Sequence, residues 1–351
     1  MYLPIATYRD DLKIALRETV NICKLYHKSI LITGAIGLIG FFAADMLLYA
    51  NKTENEIYLL VRNEKRLKER FASSLNDERL HFVVQDVVSS LELNVGVDYI
   101  IHAAGDGFSA AFREHPVETM TPALFGTYLL LDYAKKNGLR KFLYVSSGEI
   151  YGKTREVGHA FAEKESGYLD SMSVRSCYTM AKSCAETLCV SFGNQYHIPI
   201  VVTRLSHTEG SCMSMNDNRV TVQFLNNAVT GKNIILHSAG KQMRSYTYVA
   251  DGVSGLFTVL LIGAEGEAYN IANASSRVTI VGFANILARK AGVCCVVRSL
   301  NENEKKEHTS IDYVVLDSTK LEQLGWHGQY NIDAGTEKMY DIKMTERELS
   351  K

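Results

Sequence analysis

The chain has 351 residues, of which 46% are hydrophobic, and its 38 basic and 39 acidic residues give a net charge of -1. This composition suits a globular protein with a sizeable core, and it offers no electrostatic basis for nucleic acid or an anionic membrane as partner. No apolar run reaches the roughly 18 residues that a membrane span needs. The 7 cysteines form no C-x-x-C pair and follow no signal peptide, so we expect reduced thiols, a cytoplasmic protein and no metal site.

The first predicted element is an amphipathic helix within residues 8–26. Leu12, Leu16, Val20 and Cys23 recur there at helical spacing. We expect this helix to pack on the body of the protein or on a second subunit.

Six apolar runs then alternate with helical patterns, and in chain order they read SILITG, EIYLLVR, LHFVVQD, VDYIIHAAG, KFLYVSS and IPIVVTRLS. Continuous apolar runs are typical of a parallel sheet that is covered on both faces. After residue 205 the pattern breaks into shorter, more polar pieces. The sequence therefore predicts an α/β protein with a Rossmann-type doubly wound parallel sheet over residues 28–205. An N-terminal helical extension over 1–27 precedes it, and a smaller C-terminal substrate lobe over 206–351 follows, with some strands returning to the main sheet.

Glycines recur where the first run ends, because ILITGAIGLIG places Gly34, Gly37 and Gly40 between a strand and a helix. Glycine lets the backbone turn tightly, approach a pyrophosphate and pack a helix closely on a strand, and the helix N-terminus stabilises the anion. The pattern predicts a dinucleotide site in which Gly34, Gly37, Leu38 and Ile39 bind the cofactor.

The second and third runs bear on which cofactor is bound. The second run ends at Arg62 instead of the acid that matches a free ribose 2′-hydroxyl, which favours NADP and leaves NAD open. The alternative is that Arg62 is a solvated arginine of a basic surface loop. Asp86, which closes the third run beside Val87, is placed to accept a hydrogen bond from adenine.

The fourth and sixth runs complete the predicted cofactor site. HAAG would let the backbone of Ala103, Ala104 and Gly105 pass close under the cofactor. Arg204, in the sixth run, is assigned to the same set. His102 is expected to be a packed, hydrogen-bonded histidine and not a catalyst.

Two motifs indicate a catalytic site. They are VSSGEIYG, which closes the fifth run, and a Y-x-x-x-K motif in the helix that follows. Tyr178 and Lys182 share a helix face because they are four residues apart. A phenolate is stabilised by a neighbouring ammonium and by a positive nicotinamide ring. Tyr178 would take the proton from a substrate hydroxyl while hydride leaves the same carbon, Ser147 would bind that oxygen, and Lys182 would hold the ribose.

The motifs TGAIGLIG, HAAG, SSGEIYG and YTMAK resemble those of the extended short-chain dehydrogenase/reductase family, the nucleotide-sugar epimerases, dehydratases and decarboxylases. The resemblance continues through GKQMRSYTYVAD, GEAYNIAN and DSTKLEQLGW and covers about residue 28 to the end. RSCYTMAK, NDNRV and QMRSYTYVAD are most similar to UDP-glucuronate decarboxylases. The resemblance implies a nucleotide-sugar substrate, with a UDP-sugar favoured, a bound NAD and a homodimer formed through the helix of the Y-x-x-x-K motif and its neighbour.

The resemblance also implies substrate-binding residues in the second lobe. Arg244 would bind the nucleotide diphosphate, and Arg219 with Val220 would lie by the base. His207 stands where the family usually has an asparagine that touches the diphosphate, and Ser211 replaces the usual proline. The phosphate contacts of this loop therefore depart from the family pattern.

Gly148 and Glu149 limit which reactions of this family the chain can be expected to catalyse. The resemblance implies that 4,6-dehydratases have an Asp-Glu pair here, and loss of a general acid costs about 10²- to 10⁴-fold in rate, so Gly148 argues against dehydration. Decarboxylases keep the glutamate, and Glu149 would then govern protonation at carbon 5; the alternative is that Glu149 only caps the following turn.

Three functions remain open at this point. The first is oxidation and re-reduction of carbon 4 of a nucleotide sugar, with decarboxylation or epimerisation between the two steps. The second is an NADPH-dependent 4-keto-sugar reductase, which Arg62 favours. The third is a non-catalytic nucleotide-sensing module, which predicts loss of a tyrosine and a lysine that the chain retains.

Overall fold

The computed structural model describes residues 2–50, 54–105, 107, 109–153, 158–213, 217, 219–298 and 313–350. In chain order the strands are β1 Ser29–Thr33, β2 Glu56–Val61, β3 Leu80–Val84, β4 Tyr99–His102, β5 Lys141–Ser147, β6 Ile200–Leu205, β7 His207–Glu209, β8 Ile234–Leu236, β9 Met243–Tyr248, β10 Ala268–Ile271, β11 Arg277–Thr279, β12 Cys295–Val297 and β13 Tyr313–Val314. The α-helices are α1 Ala6–Glu18, α2 Leu38–Tyr49, α3 Glu64–Arg70, α4 Ser109–Glu114, α5 Pro116–Thr121, α6 Thr127–Asn137, α7 Cys177–Tyr196, α8 Val220–Val229, α9 Val249–Ile262, α10 Ile280–Ala291, α11 Thr319–Glu322 and α12 Ile332–Leu349.

The main sheet has 7 parallel strands in the order β10-β6-β5-β4-β1-β2-β3. The six apolar runs form β1 to β6, which confirms the predicted Rossmann-type doubly wound sheet. The strand β10 pairs with β6 through Ala268 and Val202 and comes from the chain beyond residue 205. The strand order reverses between β1 and β4, which is where such a sheet has its ligand-binding crevice.

Shorter strands beyond the main sheet form two smaller sheets. β9 pairs in parallel with β7 and β13 and antiparallel with β11, while β8 pairs with β12. β7 follows β6 almost directly, so the smaller sheet begins at the carboxyl edge of the main one. Among the described residues, no helix combines the length and hydropathy needed to cross a bilayer.

The N-terminal helix α1 is shorter than the predicted helix within residues 8–26. It ends at Glu18, because Thr19 has an extended backbone and Asn21 adopts the left-handed conformation with φ 59°. Val20 and Cys23 therefore continue the apolar pattern outside the α-helix. α1 packs on the body of the protein, against α2, α9 and α12.

A buried carboxylate ties α1 to the rest of the fold. Asp11 accepts hydrogen bonds from the hydroxyls of Tyr248, at 2.5 Å, and Tyr330, at 2.9 Å. The ammonium of Lys338 on α12 forms an ion pair with the same carboxylate. Residues from the two ends of the chain thus meet at the junction of β9 and α9.

We expect Asp11→Ala to lower the free energy of unfolding by roughly 3 kcal/mol, because it leaves the partly buried ammonium of Lys338 and two buried tyrosine hydroxyls without their acceptor. Chemical denaturation checks this value. The control is Asp10→Ala on the same helix, whose exposed carboxylate bonds only Lys13 among the described residues and whose loss should not change stability measurably. Equal effects of the two substitutions would contradict the role given to Asp11.

Candidate active site

The turn after β1 packs directly on the turn after β4. Gly34 has a positive φ of 68°, and a Cβ added there would lie 2.6 Å from the carbonyl oxygen of Ala103. A Cβ on Gly40 would lie 2.5 Å from the carbonyl oxygen of Gly34. Only glycine fits at these two positions, and the close packing leaves the N-terminus of α2, which follows Gly37, open toward the carboxyl edge of the sheet.

A cleft of about 870 Å³ lies over this edge. Most of the predicted site residues line it, from both the main sheet and the second lobe. They are Gly34, Gly37, Leu38, Ile39, Arg62, Asp86, Val87, Ala103, Ala104, Gly105, Ser147, Glu149, Tyr178, Lys182, His207 and Arg219. Arg204, Val220 and Arg244 are not among the residues that line the cleft.

One end of the cleft is bounded by charged side chains at the ends of β2 and β3. Arg62 Nη1 lies 3.9 Å from Asp86 Oδ2, and the Arg62 side chain is 66% exposed. Arg66 of α3 also lines this end. A carboxylate and two guanidiniums are therefore available to a ligand in this part of the cleft.

His102 is packed between two elements under the cleft. Its Nδ1 lies 2.8 Å from the hydroxyl of Thr33, and its Nε2 lies 3.3 Å from the carbonyl oxygen of Pro122. Burial, with the charge of Lys182 second, lowers the pKa of His102 to about 3. The ring is thus a neutral, hydrogen-bonded histidine, as predicted.

Ser147, Tyr178 and Glu149 meet where β5 ends. The Ser147 hydroxyl accepts a hydrogen bond from the Glu149 backbone N–H at 3.2 Å and so caps the turn, a role that Glu149 was predicted to have in the alternative interpretation. Ser147 is also hydrogen-bonded to Tyr178. The Tyr178 ring stacks on Phe112 with centroids 4.7 Å apart and planes at 16°.

Burial raises the pKa of Tyr178 to about 12, and the charge of Glu149 adds to the increase. The hydrogen bond from Ser147 and the charges of Arg219 and Arg175 act in the opposite direction. The Lys182 ammonium donates to the Val145 carbonyl at 2.7 Å and lies 5.8 Å from the centroid of the Tyr178 ring. Tyr178 therefore needs a further positive charge in the cleft before it can act as a base near neutral pH.

Arg175 is a site residue that the sequence interpretation missed, although it stands in the quoted motif RSCYTMAK. Its Nη2 lies 3.5 Å from Glu149 Oε2, a buried oxygen for which the described residues supply no hydrogen bond. The guanidinium also lies 4.9 Å from the ring centroid of Phe112. Arg175 thereby contacts both the Glu149 carboxylate and the Phe112 ring on which Tyr178 stacks. Nothing in the sequence indicated the role of Phe112.

Gly148 is covered by a side chain from a distant part of the sequence. A Cβ at Gly148 would lie 2.8 Å from Leu316 Cδ1, so a longer side chain requires Leu316 to move. An acid at this position, as in the pair expected of dehydratases, therefore requires a different placement of the Leu316 side chain.

The second-lobe wall of the cleft contains His207 and Arg219. Burial first, and then the charges of Arg244 and Arg219, lower the pKa of His207 to about 3, so its imidazole is neutral. Arg219 donates to the Asp217 carboxylate from Nε at 2.9 Å and from Nη2 at 2.7 Å. Arg244 donates to the Met243 carbonyl at 2.8 Å, outside the cleft lining.

Arg204 is engaged away from the cleft. Its Nη2 lies 2.7 Å from Glu186 Oε2 on α7, and its Nη1 donates to the Tyr151 hydroxyl at 2.9 Å. The predicted cofactor contact of Arg204 is therefore not one that this geometry provides. Among the described residues, no group of three His, Cys, Asp or Glu side chains is arranged to hold a metal ion.

Residues 30–272 match the model of the NAD dependent epimerase/dehydratase family, and the chain belongs to this family. UDP-glucuronic acid decarboxylase 1 of Xenopus tropicalis is 31% identical over 265 residues, which cover 76% of this chain and 61% of that protein. UDP-glucuronic acid decarboxylase 6 of Arabidopsis thaliana is 32% identical over 244 residues, or 70% of this chain and 69% of that protein. The chain spans about three fifths of the length of the Xenopus tropicalis and Danio rerio relatives, at 61% and 60%.

Solved structures share the fold at lower identity. The dTDP-glucose 4,6-dehydratase DesIV of Streptomyces venezuelae superposes with a TM-score of 0.78 at 23% identity, covering 92% of this chain and 98% of that one. The UDP-glucuronic acid 4-epimerase of Bacillus cereus gives 0.77 at 20% identity, covering 91% and 99%. These similarities establish the fold.

The residues of the cleft fit the nicotinamide dinucleotide that the family name implies. The backbone of Gly34, packed on the backbone of Ala103, runs under it, and the N-terminus of α2 faces it. Tyr178 and Lys182 are on α7, which packs on β5 and β6, whereas Arg62 and Asp86 follow β2 and β3 on the other side of the reversal in strand order, so one elongated ligand can contact both pairs. The cleft therefore matches a dinucleotide both in shape and in charge.

We expect Gly40→Ala to lose the bound dinucleotide, because the added methyl group overlaps the Gly34 carbonyl and such overpacking costs roughly 1–3 kcal/mol. Nucleotide released from the denatured, purified protein measures this. The control is Gly96→Ala, because a Cβ at Gly96 meets nothing within 4 Å. Full nucleotide content in Gly40→Ala would contradict the site.

Proposed function

We propose that the protein oxidises carbon 4 of a UDP-linked hexuronate with a bound NAD, decarboxylates or epimerises the sugar, and re-reduces it. The convergence of Ser147, Glu149, Tyr178 and Lys182 at one end of the glycine-floored cleft carries this proposal. The curated relatives that are named as UDP-glucuronic acid decarboxylases support it, as do NAD complexes of the same fold.

Each residue near the end of β5 has a separate task. Tyr178 removes the proton of the 4-hydroxyl and returns it after the intermediate step, while Ser147 holds the same oxygen through its hydroxyl. Lys182 would donate to the ribose of a bound cofactor. The nicotinamide, when bound, accepts and returns the hydride and supplies the positive charge that favours the Tyr178 phenolate.

A hexuronate is favoured as the sugar of the substrate because Glu149 is present and the position before it is a glycine instead of an acid. A 4-keto uronate is a β-keto acid, which loses carbon dioxide without any proton donor at carbon 6. Glu149, braced by Arg175, is placed to control protonation at carbon 5. Gly148 under Leu316 leaves no acid to expel a 6-hydroxyl, which argues against dehydration.

The second lobe supplies the nucleotide-sugar contacts in this proposal. His207 and Arg219 line the cleft and would face the diphosphate and the base side, whereas Arg244 and Val220 would have to act from just outside it. We also propose that the chain divides into three parts: an N-terminal helical extension over residues 1–27, the dinucleotide-binding domain over 28–205 and the substrate lobe over 206–351. β10 is the strand of the substrate lobe that returns to the main sheet.

A second candidate function is reduction of a 4-keto sugar by NADPH. Arg62 and Arg66 both line the cleft and would lie beside the adenosine ribose of a bound dinucleotide, where guanidiniums match a 2′-phosphate. Asp86, 3.9 Å from Arg62, limits this attraction. NADPH bleaching by a 4-keto sugar would favour this candidate.

We further propose a cytoplasmic homodimer. Val117, Phe125 and Tyr128 on the helical segment from α5 to α6 are 65%, 60% and 50% exposed, and Val190 of α7 is 46% exposed. Large apolar side chains on one exposed helical surface are typical of an interaction surface. The 7 cysteines, all unpaired, support a reducing compartment.

The function is tested by incubating the purified protein with UDP-glucuronate and no added cofactor, with mass detection of the nucleotide sugar. We expect loss of the mass of carbon dioxide, or a 4-epimer of unchanged mass that chromatography before the mass detection separates from the substrate. Tyr178→Phe should lower turnover by about 10²- to 10⁴-fold, since it removes the proton acceptor. Unchanged turnover in this variant, or formation of a 4-keto-6-deoxy sugar from a UDP-hexose, would contradict the proposal.

For the dimer, we expect Phe125→Glu combined with Tyr128→Glu to produce a monomer in size-exclusion chromatography with light scattering, because two charges would be buried in the interface. Val297→Glu, at a residue of β12 that is 50% exposed, is the control and should leave the mass unchanged. A monomeric unmodified protein would exclude the dimer.

A further inference from the structure

Helix α7 carries a third ionisable group in the same row as Tyr178 and Lys182. Glu186 follows Lys182 by four residues, so the three side chains lie along one face of the helix. Lys182 and Glu186 are both buried, at 6% and 8% exposure. The proposed reaction uses the first two groups and gives Glu186 no task.

The surroundings of Lys182 contain few groups that stabilise a positive charge. Its ammonium donates to the Val145 carbonyl of β5 at 2.7 Å and lies 4.8 Å from the ring centroid of Tyr144. His102 faces it from β4, and its pKa is lowered in part by Lys182. Burial raises the pKa of Tyr144, and burial raises the pKa of Cys189 on α7, so both remain uncharged.

Glu186 supplies the carboxylate of this part of α7, and its charge opposes the effect of burial on the pKa of Lys182. Burial lowers the pKa of Lys182 to about 8, whereas the charge of Glu186 raises it. A lysine with such a pKa is partly deprotonated within the pH range in which enzymes work. The carboxylate therefore increases the fraction of Lys182 that is charged.

Arg204 fixes the Glu186 carboxylate in place. Its Nε lies 3.1 Å from Glu186 Oε1 and its Nη2 lies 2.7 Å from Oε2, which is a fork-like, bidentate contact. Arg204 is itself held by the Tyr151 hydroxyl, which donates to Asn270 Oδ1 on β10 at 2.7 Å. Both partners of the ion pair are nearly enclosed, with side-chain exposures of 13% and 11%.

We propose that Glu186, one helical turn from Lys182, is a positioning residue that keeps Lys182 protonated, and that Arg204 holds the Glu186 carboxylate in place. The proposal rests on the proposed function, in which an uncharged Lys182 loses its electrostatic support for a Tyr178 phenolate and donates only weakly to a ribose. It gives Arg204 a role behind the site instead of in contact with the cofactor.

The test is a titration of Lys182 in purified protein labelled with [ε-¹³C]lysine, followed by NMR. The Lys182 resonance is identified by its absence from Lys182→Arg. In Glu186→Gln, which keeps the size and hydrogen-bonding capacity of the side chain, we expect the midpoint to fall by about 1–3 pH units. Glu186→Asp keeps the charge and should remain close to the unmodified protein.

The control is Glu267→Gln, which removes an exposed carboxylate bonded to Lys320 and should leave the Lys182 midpoint unchanged. An unchanged midpoint in Glu186→Gln would overturn the proposal. This measurement needs no substrate, so its outcome is independent of the proposed function.

Activity gives a second readout. The alkaline limb of kcat/KM should move to lower pH in Glu186→Gln, with activity near pH 6 close to that of the unmodified protein. A loss of activity that is equal at every pH would show a merely structural role and would also overturn the proposal.

Discussion

The site depends on one close contact, in which the turn after β1 packs on the turn after β4 with no side chain between them. Gly34 must adopt a positive φ and must lack a Cβ for its backbone to reach Ala103. The two turns form a backbone floor at the reversal of strand order, and α2 begins at its edge. Every other group of the cleft is placed relative to this floor, because β5 and α7 are positioned by the same parallel sheet.

Burial is the second constraint, and it favours the neutral form of three groups of the cleft, Tyr178, Lys182 and His207. It raises the pKa of Tyr178 to about 12, lowers the pKa of Lys182 to about 8 and lowers the pKa of His207 to about 3. Each group is thus shifted toward its neutral form. Charges brought by ligands have a large effect in such a poorly solvated cleft, so chemistry is coupled to the presence of the correct ligands.

The sequence predicts the features that depend on residues close together in the chain. These include β1 to β6, the glycine turn and the shared helix face of Tyr178 and Lys182. It does not predict contacts between distant segments, such as Leu316 over Gly148. Arg204 of β6 was assigned to the cofactor site, but successive strand side chains point to opposite faces and its guanidinium lies beside Glu186. The helical pattern through Cys23 likewise did not reveal the break after Glu18.

The central claim is that carbon 4 is oxidised and re-reduced by a cofactor that stays bound. It is tested most directly with UDP-glucuronate that carries deuterium at carbon 4, incubated in ordinary water with no added cofactor. The account predicts a decarboxylated or epimerised product that keeps the deuterium at carbon 4, because the same hydride is returned. Loss of the label, or conversion only when NADPH is added, would contradict it.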